Sequence, residues 1–332
     1  MKQKSFFVKN NRVAILALFC CFLWGSAFPA IKLSYLELNL NGPFEMIQLA
    51  GCRFFLAGLL VLFFSFFCMK IRILPTKKEW VIIFSASILQ TFCAYACNYI
   101  GISNTTSAKT SILSSSEIFF TVILSHIFLK NEKIDLKKIM GLIIGTIGII
   151  SINTINDKGI EWSFSFFGEG FVLLTSLFIS ISLILIKKTS NRINLLRVNG
   201  WQLVLGGISL ALFGFGGDPH IIGFTWKAVI LLVYMALLSA AAFSIWFFLL
   251  QSNPATEVTI YKLALPVFGA ILSVLVLEDE QFTWALGIGL VLVVIGIIIA
   301  NLPKKHYIKD SFSKKIFETS LPKNTDKLKS GG

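Results

Sequence analysis

Six polar side chains share one face of an otherwise apolar stretch. Ser107, Thr110, Ser114, Glu117, Thr121 and Ser125 recur at spacings of three and four, which on an α-helix confines them to about 80° of arc. Glu117 stands near the middle of a run long enough to cross a bilayer. A carboxylate at that depth is costly to keep, and it can take up a proton or hold a cation. Two readings compete. Either this face is the polar wall of a cavity with Glu117 as its acid, or it is a helix contact joined by small hydroxyls, with Glu117 paired inside protein. A second face reads Thr259, Lys262, Pro266, Gly269 and Ser273. Pro266 has no N–H, so it frees a backbone carbonyl one turn earlier. Lys262 can pair with Glu117, can act beside it on a solute carrying both charges, or can snorkel to a nearby interface.

Other residues bear on the same chemistry. Arg53 can grip a carboxylate or phosphate through its planar fork, or hold a structural acid such as Glu45, or snorkel outward. Ser87, Gln90, Ala94, Cys97, Asn98 and Gly101 form a broad stripe that reads as cavity wall or close packing. Trp24, Phe28 and Pro29 read as a bend with aromatic lining. Tyr95, Tyr99, Trp246 and Tyr261 are weaker members of the same set, and Glu169 reads as interfacial. Enzyme chemistry finds no constellation. His126, His220 and His306 lie in separate segments without metal-ligand spacing. No nucleophile–base pair and no G-x-x-x-x-G-K-[ST] loop is written in the chain. No metal, no cofactor and no enzyme activity are expected. The six cysteines read as small apolar residues.

The elements that must position these groups follow from composition. Of 332 residues, 55% are hydrophobic and only 14% charged, too few for the surface of a soluble domain of this size. The apolar residues come in ten blocks, near 13–34, 46–68, 80–101, 107–129, 138–153, 166–187, 199–217, 227–250, 257–277 and 283–301. Each approaches the roughly 20 residues that cross a hydrocarbon core, and nine is the rival count. The first block is preceded by positive residues and contains an apolar run ending in "SAFPA", which mimics a cleavable leader; its continuation to Tyr35 favours a retained helix.

The net charge of +13 does not call for nucleic acid. Lys2, Lys4, Lys9 and Arg12, then Lys70, Arg72, Lys77 and Lys78, then Lys130, Lys133, Lys137 and Lys138, then Lys187, Lys188, Arg192 and Arg197, and eight lysines after Pro303 all fall on one side of the alternation. That is the positive-inside bias, with both termini cytoplasmic.

The chain also repeats itself at an offset of 148. "FLKNEKIDLKKIMGLIIGTIGIISIN" from Phe128 lies over "LVLEDEQFTWALGIGLVLVVIGIIIAN" from Leu275. Glu132 falls on Glu280, Gly141 on Gly289 and Gly148 on Gly296. "SNTTSAKT" at Ser103 resembles "SNPATEVT" at Ser252. Five spans per copy is odd, so the second copy enters the membrane from the opposite side. Inverted repeats are a plan of secondary transporters. Glu132 and Glu280 read as caps at the heads of the fifth and tenth helices, and the glycines as sites of close helix packing.

With "FLWGSAFPAIK", "RFFLAG", "GISNTTSA" and the paired glutamate–glycine–glycine endings, residues 12–302 resemble the drug/metabolite transporter superfamily, of the EamA-like kind. The resemblance implies ten helices in a five-plus-five inverted repeat, small solutes as cargo, and peripheral fifth and tenth helices that pack or dimerise. Lys262 departs from it, because an apolar or small polar residue is more usual there.

The expectation is therefore an all-α polytopic membrane protein with ten transmembrane helices. Its parts are a cytoplasmic N-terminus (1–12), a first repeat (13–153), an outer linker (154–165), a second repeat (166–302) and a basic cytoplasmic tail (303–332). The expected activity is secondary transport of a small organic solute, such as an amino acid, another metabolite or a drug, with export the direction the resemblance favours. Import or exchange of a nucleotide-type or phosphorylated metabolite is the alternative; a membrane enzyme and a scaffold rank lower. The partners are the small-molecule substrate, the bilayer of the cytoplasmic membrane and a coupling proton or counter-substrate. Glu117 is the coupling candidate, within a cavity drawn from Trp24, Phe28, Arg53, Gln90, Asn98, Ser114, Thr121, Tyr261 and Lys262. Pro29, Glu132, Gly141, Gly148, Pro266, Glu280, Gly289 and Gly296 are expected to be structural.

Overall fold

The computed structural model describes residues 2–302, apart from 106, 131, 133, 155–163, 219–222, 224 and 278–283. Glu280, His220, most of the 154–165 linker and the 303–332 tail lie outside the described residues. The rest is helices joined by short turns and loops. In chain order the helical segments are α1 (Lys2–Leu38), α2 (Pro43–Phe67), α3 (Lys77–Ser103), α4 (Ser107–Ser114 with Ser116–Phe128), α5 (Leu136–Thr154), α6 (Phe166–Arg192), α7 (Leu195–Gly217), α8 (Trp226–Ser252), α9 (Ala255–Val276) and α10 (Trp284–Ala300). Among the described residues, eight are long and apolar enough to cross a membrane; α5 has 19 residues and α10 is a shorter apolar helix. Helices satisfy their backbone groups internally, as hydrocarbon requires. Large apolar side chains such as Phe63, Leu212 and Leu275 are left exposed on the outside of the bundle, where lipid is their natural neighbour.

The helix ends are tied by side chains. Thr76 and Glu79 form a capping box at the head of α3. The same Glu79 carboxylate also accepts from the Asn194 N–H and pairs with Arg197 at 2.9 Å, which fastens the start of α7. Glu45 accepts from the Asn41 and Gly42 N–H groups at the head of α2. It is used as a cap and does not hold Arg53.

The two copies of the repeat pack through their own mates. On α2, Gly51 approaches Ala211 of α7 while Gly58 approaches Val204 and Gly200. As the number rises along α2 it falls along α7, so the two run antiparallel. A Cβ on Gly207 would sit 2.3 Å from the Phe55 nitrogen, an approach only glycine permits. The mates α5 and α10 behave the same way: Gly141 meets Gly296 and Ala300, and Gly148 meets Gly289 and Val293. The second copy is therefore inverted relative to the first. The remaining contacts obey the same exchange. Helix α1 packs against α8 and α9, and its mate α6 packs against α3 and α4.

Four helices depart from regular α geometry. Helix α6 opens with a π-helical turn over Phe166–Gly170 and closes with a 3₁₀ turn over Ser190–Arg192. Helix α3 carries a π-helical stretch over Ser87–Cys93. Helix α4 breaks at Ser115, between Ser107–Ser114 and Ser116–Phe128. Helix α9 tightens to a 3₁₀ turn at Tyr261–Leu263. By contrast, α1 runs as helix through Pro29.

Candidate functional site

The two interrupted helices α4 and α9 are mates, and their interruptions coincide under the repeat offset. Each has a local cause. In α4 three consecutive serines, Ser114 to Ser116, offer the backbone hydroxyl partners that compete with helical bonds. The Ser115 hydroxyl donates to the Ile112 carbonyl at 2.6 Å, and the Ile118 N–H reaches only to the Ser115 carbonyl. In α9 the ring of Pro266 cannot donate to the Lys262 carbonyl four residues back. The preceding turn tightens, and the Ala264 N–H bonds to Tyr261.

Glu117 and Lys262 stand beside these breaks and form an ion pair, Nζ donating to Oε1. Both side chains are about seven-eighths covered, at 13% exposure. The Lys262 ammonium also lies over two indole rings, 5.3 Å from the centroid of Trp24 on α1 and 5.2 Å from that of Trp246 on α8. The indoles contact each other at 5.1 Å, tilted by 58°. Phe243 closes on Trp24 edge-on at 5.4 Å. A cation over aromatic faces is held by the ring quadrupole, so Lys262 has three attractive partners. Three helices supply them, α1 and α4 of the first repeat and α8 of the second. The indole N–H groups of Trp24 and Trp246 are buried without an acceptor, as are the hydroxyls of Ser116 and Thr259.

Arg53 forms a separate feature. It is 4% exposed, so it does not snorkel. Its Nε donates to Ser239 on α8 at 2.8 Å, and its guanidinium lies 5.1 Å over Phe54. Among the described residues no carboxylate pairs with it. Beside it Tyr35, Tyr99 and Met235 enclose about 10 Å³, room for about one water. Phe54 and Phe243, in contact at 6.3 Å, link this group to the Trp24 cluster.

Other expected cavity residues lie elsewhere. Thr121 is fully buried and donates to Ser180 on α6 at 3.0 Å. Gln90 accepts from Ser182 at 3.0 Å inside the α3–α6 contact. Both are helix–helix bonds, since hydroxyls and amides in apolar surroundings take the nearest partner. Ser114 is exposed. Phe28 packs on Gly269 of α9 with its ring half exposed. Tyr261 is buried in the cluster that contains Trp246, and Asn98 is half-buried. Glu132 caps a different helix from the one expected. Its two oxygens accept from the Ala255 and Thr256 N–H groups at 2.8 and 3.0 Å, at the head of α9. The loop before α5 brings it there because four N–H groups at a buried helix start need acceptors.

A larger pocket of about 410 Å³ lies between α1, α8 and the α6–α7 turn, lined by Leu16, Asn194, Leu195, Ser244, Phe248 and Gln251. It does not include the residues expected to line a midplane cavity; Glu117 and Lys262 each keep 13% exposure apart from it. Ser180, Ser239 and Phe243 were not foreseen. The one available signal was the four-residue spacing of Ser176 and Ser180 in an apolar helix.

This architecture, two inverted helical repeats meeting at broken helices, is that of a membrane carrier. The model of the EamA-like transporter family matches the chain twice, over residues 11–154 and 166–302, and the protein belongs to that family. It is a multi-pass membrane transporter. It is 27% identical over 279 residues to the uncharacterized transporter YoaV of Bacillus subtilis (strain 168), covering 83% of this chain and 92% of that one. It is 25% identical over 292 residues to a WAT1-related, chloroplastic protein of Arabidopsis thaliana, covering 85% and 68%. An uncharacterized transporter of Archaeoglobus fulgidus is 27% identical over 294 residues, covering 86% and 97%. A crystal structure with 16% identity superposes with a TM-score of 0.74, covering 88% of this chain and 98% of its own, and so shares the fold.

Proposed function

We propose that the protein is a secondary carrier that moves a small organic solute, in the direction of export, across the cytoplasmic membrane. Two halves, 13–153 and 166–302, rock about a site at the Glu117–Lys262 pair. The observation that carries this reading is the pair itself, which joins the interrupted helices of opposite repeats. A carrier needs an element with two arrangements of similar energy. A charge pair seated on irregular backbone can open without unravelling a full helix. With the lysine-rich ends inside, the 410 Å³ pocket lies on the cytoplasmic side of the pair. Glu117 is the coupling group, because its charge must find another partner, a proton or the solute, whenever Lys262 leaves.

The test is counterflow in proteoliposomes with a mixed panel of amines, amino acids, nucleotides and sugar phosphates read by mass spectrometry. Wild type should accumulate one class of solute. Glu117→Gln should lower gradient-driven uptake at least about a hundredfold while eluting as a folded species; each lost decade corresponds to about 1.4 kcal/mol. Unchanged gradient-driven transport in that variant removes Glu117 from the coupling role. No exchange of any solute by folded wild type removes the carrier reading.

A further inference from the structure

The surroundings of the Lys262 ammonium are built for a cation. A carboxylate lies on one side of it and two indole faces on others, at 5.3 and 5.2 Å. Aromatic faces are negative and hold quaternary as well as primary ammonium groups. We propose that this cage is a binding site for organic cations, in which the solute's ammonium takes the place that Lys262 holds between Glu117, Trp24 and Trp246. The proposal rests on the carrier reading above and names its substrate class.

An anionic solute is disfavoured by the same geometry. To pair with Lys262 it would sit beside a buried carboxylate and two negative ring faces. A neutral solute would leave the Lys262–Glu117 pair in place and gain nothing from the cage. An incoming cation exchanges one positive charge for another, so Glu117 is never left bare. Lys262 is then a tethered competitor. Its backbone lies in the 3₁₀ turn Tyr261–Leu263, outside regular helical bonding, which eases its withdrawal. When the solute leaves, the lysine returns and the empty carrier closes around a neutralised pair. A second observation points to a ligand. The indole N–H of Trp246, a residue 2% exposed, has no acceptor, and neither has that of Trp24. Buried donors are almost always paired, and an oxygen a few atoms from the ammonium would accept from them. The favoured solute therefore carries an ammonium and a nearby oxygen acceptor.

Choline, its neutral isostere 3,3-dimethylbutan-1-ol and the anion 3,3-dimethylbutyrate separate the alternatives. Binding is measured by calorimetry and indole fluorescence on the full chain in lipid nanodiscs, in wild type, Lys262→Met and Glu117→Gln/Lys262→Met. Removing a tethered competitor should tighten choline binding at least about tenfold in Lys262→Met. Choline should also raise the melting temperature of that variant, and the alcohol should do neither. Adding Glu117→Gln should abolish the preference for choline. If Lys262→Met does not fold, Lys262→Gln takes its place, and in wild type Trp246→Phe should weaken choline binding. Equal binding of choline and the alcohol in every folded variant, or preferential binding of the butyrate, overturns the proposal. The carrier reading is judged apart by counterflow. Exchange of a non-cationic solute with no choline binding leaves the carrier and rejects the cage. Choline binding without any exchange does the reverse.

Discussion

Glu117 and Lys262 are 145 positions apart and meet in the middle of the bundle. Each is tolerated there because the other is present, and the two indoles add to the hold on the ammonium. A buried pair contributes little net stability, but breaking it from one side leaves a bare charge, at a cost of about 3–5 kcal/mol. Lys262→Met alone should therefore lower the unfolding temperature by several degrees. Glu117→Gln/Lys262→Met should recover most of that loss, since neither charge remains. Thermal melts of the single and double variants in detergent check this; equal losses in both would mean that the pair carries no coupling energy. Arg53 answers the same cost differently, with a hydroxyl from Ser239 and the face of Phe54 in place of an acid.

At the scale of elements, the turn between α8 and α9 is held from both sides by charge. Lys187 donates to the Leu250 and Asn253 carbonyls at 2.6 and 2.7 Å, at the negative end of α8. Glu132 accepts from the N–H groups at the positive end of α9, and Lys138 donates to the Thr256 hydroxyl at 2.6 Å. This arrangement complements both helix dipoles and sets the depth at which Lys262 enters the bundle. Glu132→Ala should destabilise the protein by about 1–2 kcal/mol, the scale of a lost cap. Amide hydrogen exchange at Ala255 and Thr256 should rise well before exchange in α2 or α7. Protection unchanged at those two amides would mean that the carboxylate does not hold the helix start. The glycines at 141, 148, 289 and 296 act at this scale too, because they let α5 and α10 approach until backbone meets backbone.

At the scale of the whole molecule, inversion of the repeats ties orientation to charge. If the lysine-rich ends face the cytoplasm, green fluorescent protein fused to either terminus should fluoresce, and alkaline phosphatase fused there should stay inactive. The opposite pattern would place the 410 Å³ pocket on the outer side of the pair and reverse the expected direction of entry. Much of this scale was legible in the chain. Apolar blocks show the spans because hydrocarbon admits little else, and an odd number of spans per copy implies inversion whatever the packing. Glu117 also stood out, because a carboxylate within an apolar span is conspicuous without any neighbour.

Beyond the Glu117–Lys262 pairing, which was one of the readings open to those residues, partners were not legible. Thr121 and Gln90 share the helical faces expected of a cavity wall, yet the face that α6 covers is a matter of packing, and their hydroxyl and amide groups were taken up by Ser180 and Ser182. The cap on Glu132 was visible, but not that it serves α9, because a loop's reach is set by where distant helices lie. The sequence by itself determined the membrane, the repeat and the acid at mid-depth, which depend on composition, period and local charge. Only the tertiary structure decided that Lys262 meets Glu117 between Trp24 and Trp246, because that contact joins α1, α4, α8 and α9 and exists only once the two inverted halves have packed.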